Sequence, residues 1–181
     1  MTTVCHLTSV HGDRDDRIFF KMARSLAAAG FRTFQVAPGK ADGEEDGVLL
    51  RAVSAPPWRP LRATLGAWRA YRAALRTGAQ IIHFHDPELL WAGFRLKRKG
   101  RTVIFDMHEL VSSQILDKAW LGPVWLRTLI ARAYQCIERR AVRRFDAIVL
   151  AESGYTAELL PRYPRYAHKF HVVRNLPVLA I

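Results

Sequence analysis

The feature that most constrains the fold is an alternation. Short β-branched runs are followed, again and again, by segments whose apolar residues recur every three or four positions. Residues 2–9, 31–37, 48–53, 79–84, 102–107, 145–151 and 169–175 read as strands. Residues 16–29, 61–77, 86–99, 122–144 and 154–160 read as helices, with Gly30 and Gly100 placed as helix stops. Several of the strands, "AQIIHF" and "FDAIVLA" among them, are near-continuous apolar runs, as expected where both faces of a sheet are covered. The fold expected is therefore α/β: a doubly wound, mainly parallel sheet with helices on both faces.

With 181 residues, 50% of them hydrophobic and 24% charged, the chain has material for one good core, and one globular domain is expected over residues 1–175. No run reaches the roughly 18–20 apolar residues of a spanning helix, and the N-terminus reads as a strand, not a leader. Cys5 and Cys136 form no close-spaced metal pattern and are expected to be reduced thiols in the core of a cytoplasmic protein.

The formal charge is +12 and unevenly distributed: residues 51–78 hold six Lys/Arg and no acid, and residues 120–181 hold ten against four. Such asymmetry points to an anionic partner. No helix-turn-helix, zinc-finger, RNP or KH signature is present, so nucleic acid is not expected. The helix over 61–77 places Leu61, Leu65, Trp68, Tyr71 and Leu75 on one side. Arg62, Arg69, Arg72 and Arg76 lie in a narrow arc beside them, the layout of a helix at an anionic membrane interface and equally of a solvated face.

In a doubly wound sheet, ligands bind beyond the carboxyl ends of the strands. Three polar clusters fall there: "HGDRDDR" (11–17) after the first strand, "HDPE" (85–88) after the fourth and "HE" (108–109) after the fifth. Asp86, with Pro87 and Glu88 behind it, reads as a helix N-cap. His108 precedes a stretch of little helical pattern. A neutral imidazole there can bond or deprotonate a hydroxyl, or simply bond a backbone carbonyl. His83 and His85 share a strand face, as do Asp106 and His108, so the four could ligate a metal and serve a metallohydrolase, although no third motif completes such a site. The first turn has Gly12 but no G-x-G-x-x-G, which argues against NAD.

Taken together, "SVHGDRDDRIFFKMARSLAAAGF", "IIHFHDPELLWAG", "VIFDMHE" and "VVRNLP" resemble the N-terminal domain of glycosyltransferase family 4, in its bacterial polysaccharide-building branch. The resemblance implies the Rossmann-like half of a GT-B fold, in which two such domains face each other across a cleft. It implies a retaining, metal-free transfer from a nucleotide-sugar to a glycan or lipid-linked acceptor, with no cofactor. His108 matches the histidine beside the reacting sugar. His11, Asp15, Arg17, His85 and Glu109 match acceptor-side positions, and Gly12 and Lys21 match the region near the donor phosphates. Relatives often carry a glycine pair where this chain has Gly12 alone. The family normally continues into a C-terminal donor domain, so residues 176–181 are expected to begin a linker. The domain is expected to be inactive without that donor domain or a partner subunit in its place. A non-catalytic docking subunit of a split glycosyltransferase is the alternative. The membrane-facing arginines suit a protein resting on the inner leaflet.

Overall fold

The computed structural model describes residues 1–176, except for the side chain of Arg59. The expected linker at 176–181 lies, apart from Leu176, outside the described residues. Contacts divide the chain into two compact units, Met1–Asp106 and Met107–Ile181.

The first unit is built on a sheet. Its strands are β1 (Thr3–Leu7), β2 (Arg32–Pro38), β3 (Gly43–Glu45), β4 (Val48–Val53), β5 (Ile81–Phe84) and β6 (Thr102–Met107). They lie in the order β3-β4-β2-β1-β5-β6, and all the pairings are parallel except β3 with β4. Only β3 was not foreseen: its Gly-Glu-Glu sequence has no strand propensity and is held by its partner.

Helices cover both faces. After β1 the chain enters a wide π-helical stretch, Asp16–Ala23, which continues into α1 (Arg24–Ala28). Phe19 and Ala23 of this segment pack on Val48 and Leu50 of β4. Gly30, at φ +86°, closes it: its N–H donates to the Ala27 carbonyl and that of Phe31 to Leu26, a Schellman stop. The opposite face carries a short turn α2 (Arg59–Leu61), a π-helical stretch Arg62–Gly66 and α3 (Ala67–Arg76). The expected apolar side of this helix is buried only in part, at Tyr71 and, half-buried, Leu75. Ala67, Ala70, Tyr71 and Ala74 face inward, while Leu61, Leu65 and Trp68 are exposed. Alanines let the helix axis come close to the sheet, and the larger side chains are left at its flank. A 3₁₀ turn (Pro87–Leu89) leads into α4 (Leu90–Arg98), which ends at Gly100.

The second unit holds α5 (Val111–Asp117), a 3₁₀ turn (Ala119–Leu121), the long α6 (Val124–Arg144), β7 (Ala147–Leu150), α7 (Gly154–Arg162), a 3₁₀ segment (Pro164–Lys169) and β8 (Phe170–Val172), which pairs in parallel with β7. Helix α5 falls where an open loop was expected; buried Ser112 and Ile115 anchor a helix too short to show a period. Glu138 is buried on α6 and accepts from the Tyr163 hydroxyl at 2.7 Å, with Arg162 3.5 Å away. Lys169 donates to the carbonyls of Val142, Arg143 and Phe145, capping the negative end of α6. Of the two cysteines only Cys5 is a core thiol, its pKa raised to about 12 by burial. Cys136 is exposed, because its position on α6 falls outside the buried face of Ala131, Glu138, Ala141 and Val142.

Candidate functional site

A polar row crosses the middle of the first unit's sheet on the face covered by Asp16–Ala28. His6 of β1 pairs in register with Gln35 of β2 and with His83 of β5. His85 and Asp106 lie further along β5 and β6 on the same face. All five are buried, as is Arg17. Arg17 grips Asp106 with both arms of its guanidinium, Nε to Oδ2 at 2.9 Å and Nη2 to Oδ1 at 3.0 Å. Asp106 Oδ2 also lies 3.1 Å from His85 Nδ1, and His85 Nε2 lies 3.0 Å from His6 Nδ1.

This chain of contacts fixes the tautomers. An ionised Asp106 requires the proton on His85 Nδ1. The bare His85 Nε2 then accepts from His6 Nδ1–H, which leaves His6 Nε2 with a lone pair. Burial, followed by the fields of His83 and His85, holds the His6 imidazole well below its usual pKa of 6.5, so it is neutral.

His6, His83 and His85 bring ligand atoms within 4.8 Å of one another, and an ion could be considered there. The His85 ring stacks on those of His6 and His83, at centroid distances of 5.3 and 4.7 Å, and the His6 and His83 rings are tilted by 37° at 5.0 Å. His6 Nδ1 and His85 Nε2 face each other at 3.0 Å, so these two atoms are engaged with one another. Asp106 has both oxygens engaged by Arg17.

The accessible part of the site lies above this stack, beyond the carboxyl ends of β1 and β5. Asp86 occupies the N-cap position of its turn, but its side chain makes no cap bond. It reaches back to the first loop: Oδ2 accepts from the Thr8 hydroxyl at 2.8 Å and from the Ser9 N–H. The expectation of a helix cap is corrected accordingly. Thr8 Oγ1 in turn accepts from the N–H groups of Val10 and His11. His11, half-exposed, stands between two carboxylates, with Nδ1 3.1 Å from Asp15 Oδ2 and Nε2 3.5 Å from Asp86 Oδ1. Its pKa is raised, first by the Asp15 hydrogen bond and further by the fields of Asp86 and Asp15. Asp15 is held well below the carboxylate range, first by His11. Its other oxygen caps the π-helical stretch through the N–H groups of Arg17 and Ile18, both at 2.9 Å.

The first loop and the "HDPE" segment therefore meet: His11 and Asp15 form the accessible rim, and Asp86, only 2% exposed, anchors it from beneath. Arg17 and His85 belong to the support beneath, not to the rim: their side chains are buried and engaged with Asp106. Lys21 is half-buried on the same helical stretch. Gly12 is exposed, and a Cβ there would meet nothing within 4 Å. His108 and Glu109 belong to the second unit. His108 is half-buried, with its carbonyl accepting from the Tyr155 hydroxyl at 3.0 Å, and Glu109 is exposed. Arg62 lies on the π-helical stretch before α3. On α3 itself, Arg69 donates to the Ser54 carbonyl and Arg72 stacks over Trp68. With Arg76 they line a shallow groove. Sequence reasoning missed His6, Thr8 and Ser9. The available signal was a histidine in the middle of an apolar strand, one strand away from two more.

Residues 17–175 match the family model described as glycosyl transferase 4-like domain. Sucrose-phosphate synthase from Thermosynechococcus elongatus superposes with a TM-score of 0.69 at 13% identity, over 96% of this chain and 48% of that one. Os79 from O. sativa, solved in complex with UDP, gives 0.61 at 13%, over 97% and 52%. A glycosyltransferase from Rickettsia africae ESF-5 gives 0.57 at 12%, over 96% and 42%. At these identities the likeness is one of fold, and the chain spans about half the length of these three. No curated protein matches it. Among the described residues no helix is long and apolar enough to cross a membrane.

Proposed function

Since the chain belongs to the glycosyl transferase 4-like family, we propose that it forms the acceptor-side half of a retaining glycosyltransferase. It moves a sugar from a nucleotide-sugar to a glycan or lipid-linked acceptor and works with a C-terminal donor domain or a partner subunit. The observation that carries this reading is the rim at the carboxyl ends of β1 and β5, where His11 is held between Asp15 and Asp86. A paired imidazole and carboxylate, His11 with Asp15, at a sheet's ligand-binding edge suits the recognition of sugar hydroxyls.

In this reading His11, Asp15 and Glu109 contact the acceptor, and Arg17 and His85 keep the floor of the site rigid through Asp106. Gly12 has no packing neighbour and no left-handed φ, so neither explains a glycine there. A donor phosphate passing close to the backbone would, with Lys21 further along the following helical stretch as a second expected contact. His108 orients the reacting hydroxyls, and the departing diphosphate is stabilised electrostatically without a metal. Arg62, Arg69, Arg72 and Arg76, with the exposed Trp68 beside them, suit an anionic inner leaflet on the cytoplasmic side. Residues 1–181 alone do not turn over nucleotide-sugar.

The test is nucleoside diphosphate release by the natural full-length protein, supplied with a panel of nucleotide-sugars and glycan acceptors. His108→Ala lowers turnover at least tenfold. Unchanged turnover removes His108 from the site, and release of nucleoside diphosphate by residues 1–181 alone contradicts the two-domain reading.

A further inference from the structure

The second unit leaves a set of large apolar side chains uncovered in one short stretch of chain. Trp120 is 77% exposed, Trp125 68%, Val124 66% and Leu129 59%, with Leu116 at the end of α5 at 44%. They sit on the turn between α5 and α6 and on the first two turns of α6. Along α6 the exposed positions then change character. Beyond Trp125 and Leu129 come Arg132, Ile137, Arg140 and Arg144. The helix has 21 residues, about 31 Å. One end of its outer surface is therefore tryptophan and aliphatic, and the other end is arginine.

Burial of these residues within their own unit is not what the sequence is arranged for. The inward positions of α6, Ala131, Glu138, Ala141 and Val142, are already filled, and Glu138 is tied to Tyr163. The exposed tryptophans are separate from the core and fit an interface, either with another protein or with a bilayer. Their rings partition to the boundary between hydrocarbon and headgroups. The surrounding charge selects the kind of surface. Residues 111–144 carry seven Lys/Arg against Asp117 and the buried Glu138. A second copy of the same face would set these cations against each other, whereas an anionic bilayer complements them.

We propose that the α5–α6 turn is a membrane-insertion element, with Trp120, Val124, Trp125 and Leu129 entering the interface of an anionic bilayer while the arginines further along α6 lie against its headgroups. This surface is distinct from the arginine groove of α3 and belongs to the other unit. It requires no particular transfer reaction, so it can fail or hold independently of the proposed function.

The experiment uses the natural full-length protein and vesicles of phosphatidylcholine with about one-third phosphatidylglycerol. Tryptophan emission shifts to the blue on binding and is quenched by lipids brominated high on the acyl chain. Trp58 and Trp68 are also exposed, so the reading is the difference from the native protein: both signals fall in the Trp120→Phe/Trp125→Phe double variant. Trp120→Ser/Trp125→Ser weakens vesicle partitioning at least tenfold, and these side chains are too exposed for the change to unfold the chain. Three results overturn the proposal: no binding to the vesicles, binding undiminished in the serine variant, or a dimer that becomes monomeric in it by sedimentation velocity.

Discussion

At the residue scale the molecule turns on Asp106. Its charge is buried, and its stability there depends on the fork of Arg17. Removing one partner of such a pair leaves an uncompensated charge, so Arg17→Met is expected to cost about 3–5 kcal/mol in urea denaturation. Arg17→Met with Asp106→Leu recovers much of that loss. An Arg17→Met protein as stable as the native one would show that Asp106 is not ionised. His6 gives a second test. Its imidazole is held neutral in the fold but takes a proton in the unfolded chain below about pH 6.5. Protonation therefore favours unfolding, and this contribution to stability falls by about 1.4 kcal/mol per pH unit below 6.5. His6→Gln flattens the denaturation midpoint between pH 7.5 and 5.5, and an unchanged slope would contradict the neutral stack. His11 has the opposite sign: its raised pKa stabilises the fold at low pH, and that support is lost as pH rises through the raised value.

These residues also show what a sequence can and cannot convey. The "HGDRDDR" and "HDPE" clusters were legible as neighbours at one edge of a sheet, because strand order and direction follow from the alternation of elements. Which of their members face solvent was not legible. His85 was expected at the rim and lies beneath it. Asp86 looked like a cap and serves as an anchor. Both outcomes depend on His6, Thr8 and Ser9, which lie nearly 80 positions away in sequence and look like ordinary strand residues.

At the scale of elements, most strands and helices were readable to within a few residues, and the stops at Gly30 and Gly100 were placed correctly. At Gly100 the stop is a Schellman motif: φ is +77°, and Arg101 N–H donates to the Leu96 carbonyl. Gly100→Ala is expected to lower stability by about 1 kcal/mol through the left-handed φ alone, since a Cβ there meets no neighbour. No loss in thermal denaturation would mean that the α4 end is not held in that conformation. What was misread was which side of a helix faces inward. The helix over 61–77 has two plausible stripes, one large and apolar, the other mostly alanine. The helical period of the large residues points to the first, while close approach to the sheet selects the second and buries only Tyr71 of the first.

At the scale of the whole molecule, the family and the α/β fold were within reach of the sequence, because four motifs occur in order at natural spacing. The proposed chemistry rests on a rim whose parts come from two distant loops, and its role in sugar transfer is the central claim. The measurement that tests it most directly is kcat/KM for sugar transfer by the natural full-length protein carrying His11→Ala. His11 is half-exposed and closes no packed core, so the fold should tolerate the change. The account predicts a fall of at least tenfold with the thermal midpoint nearly unchanged. Transfer at the native rate would contradict it.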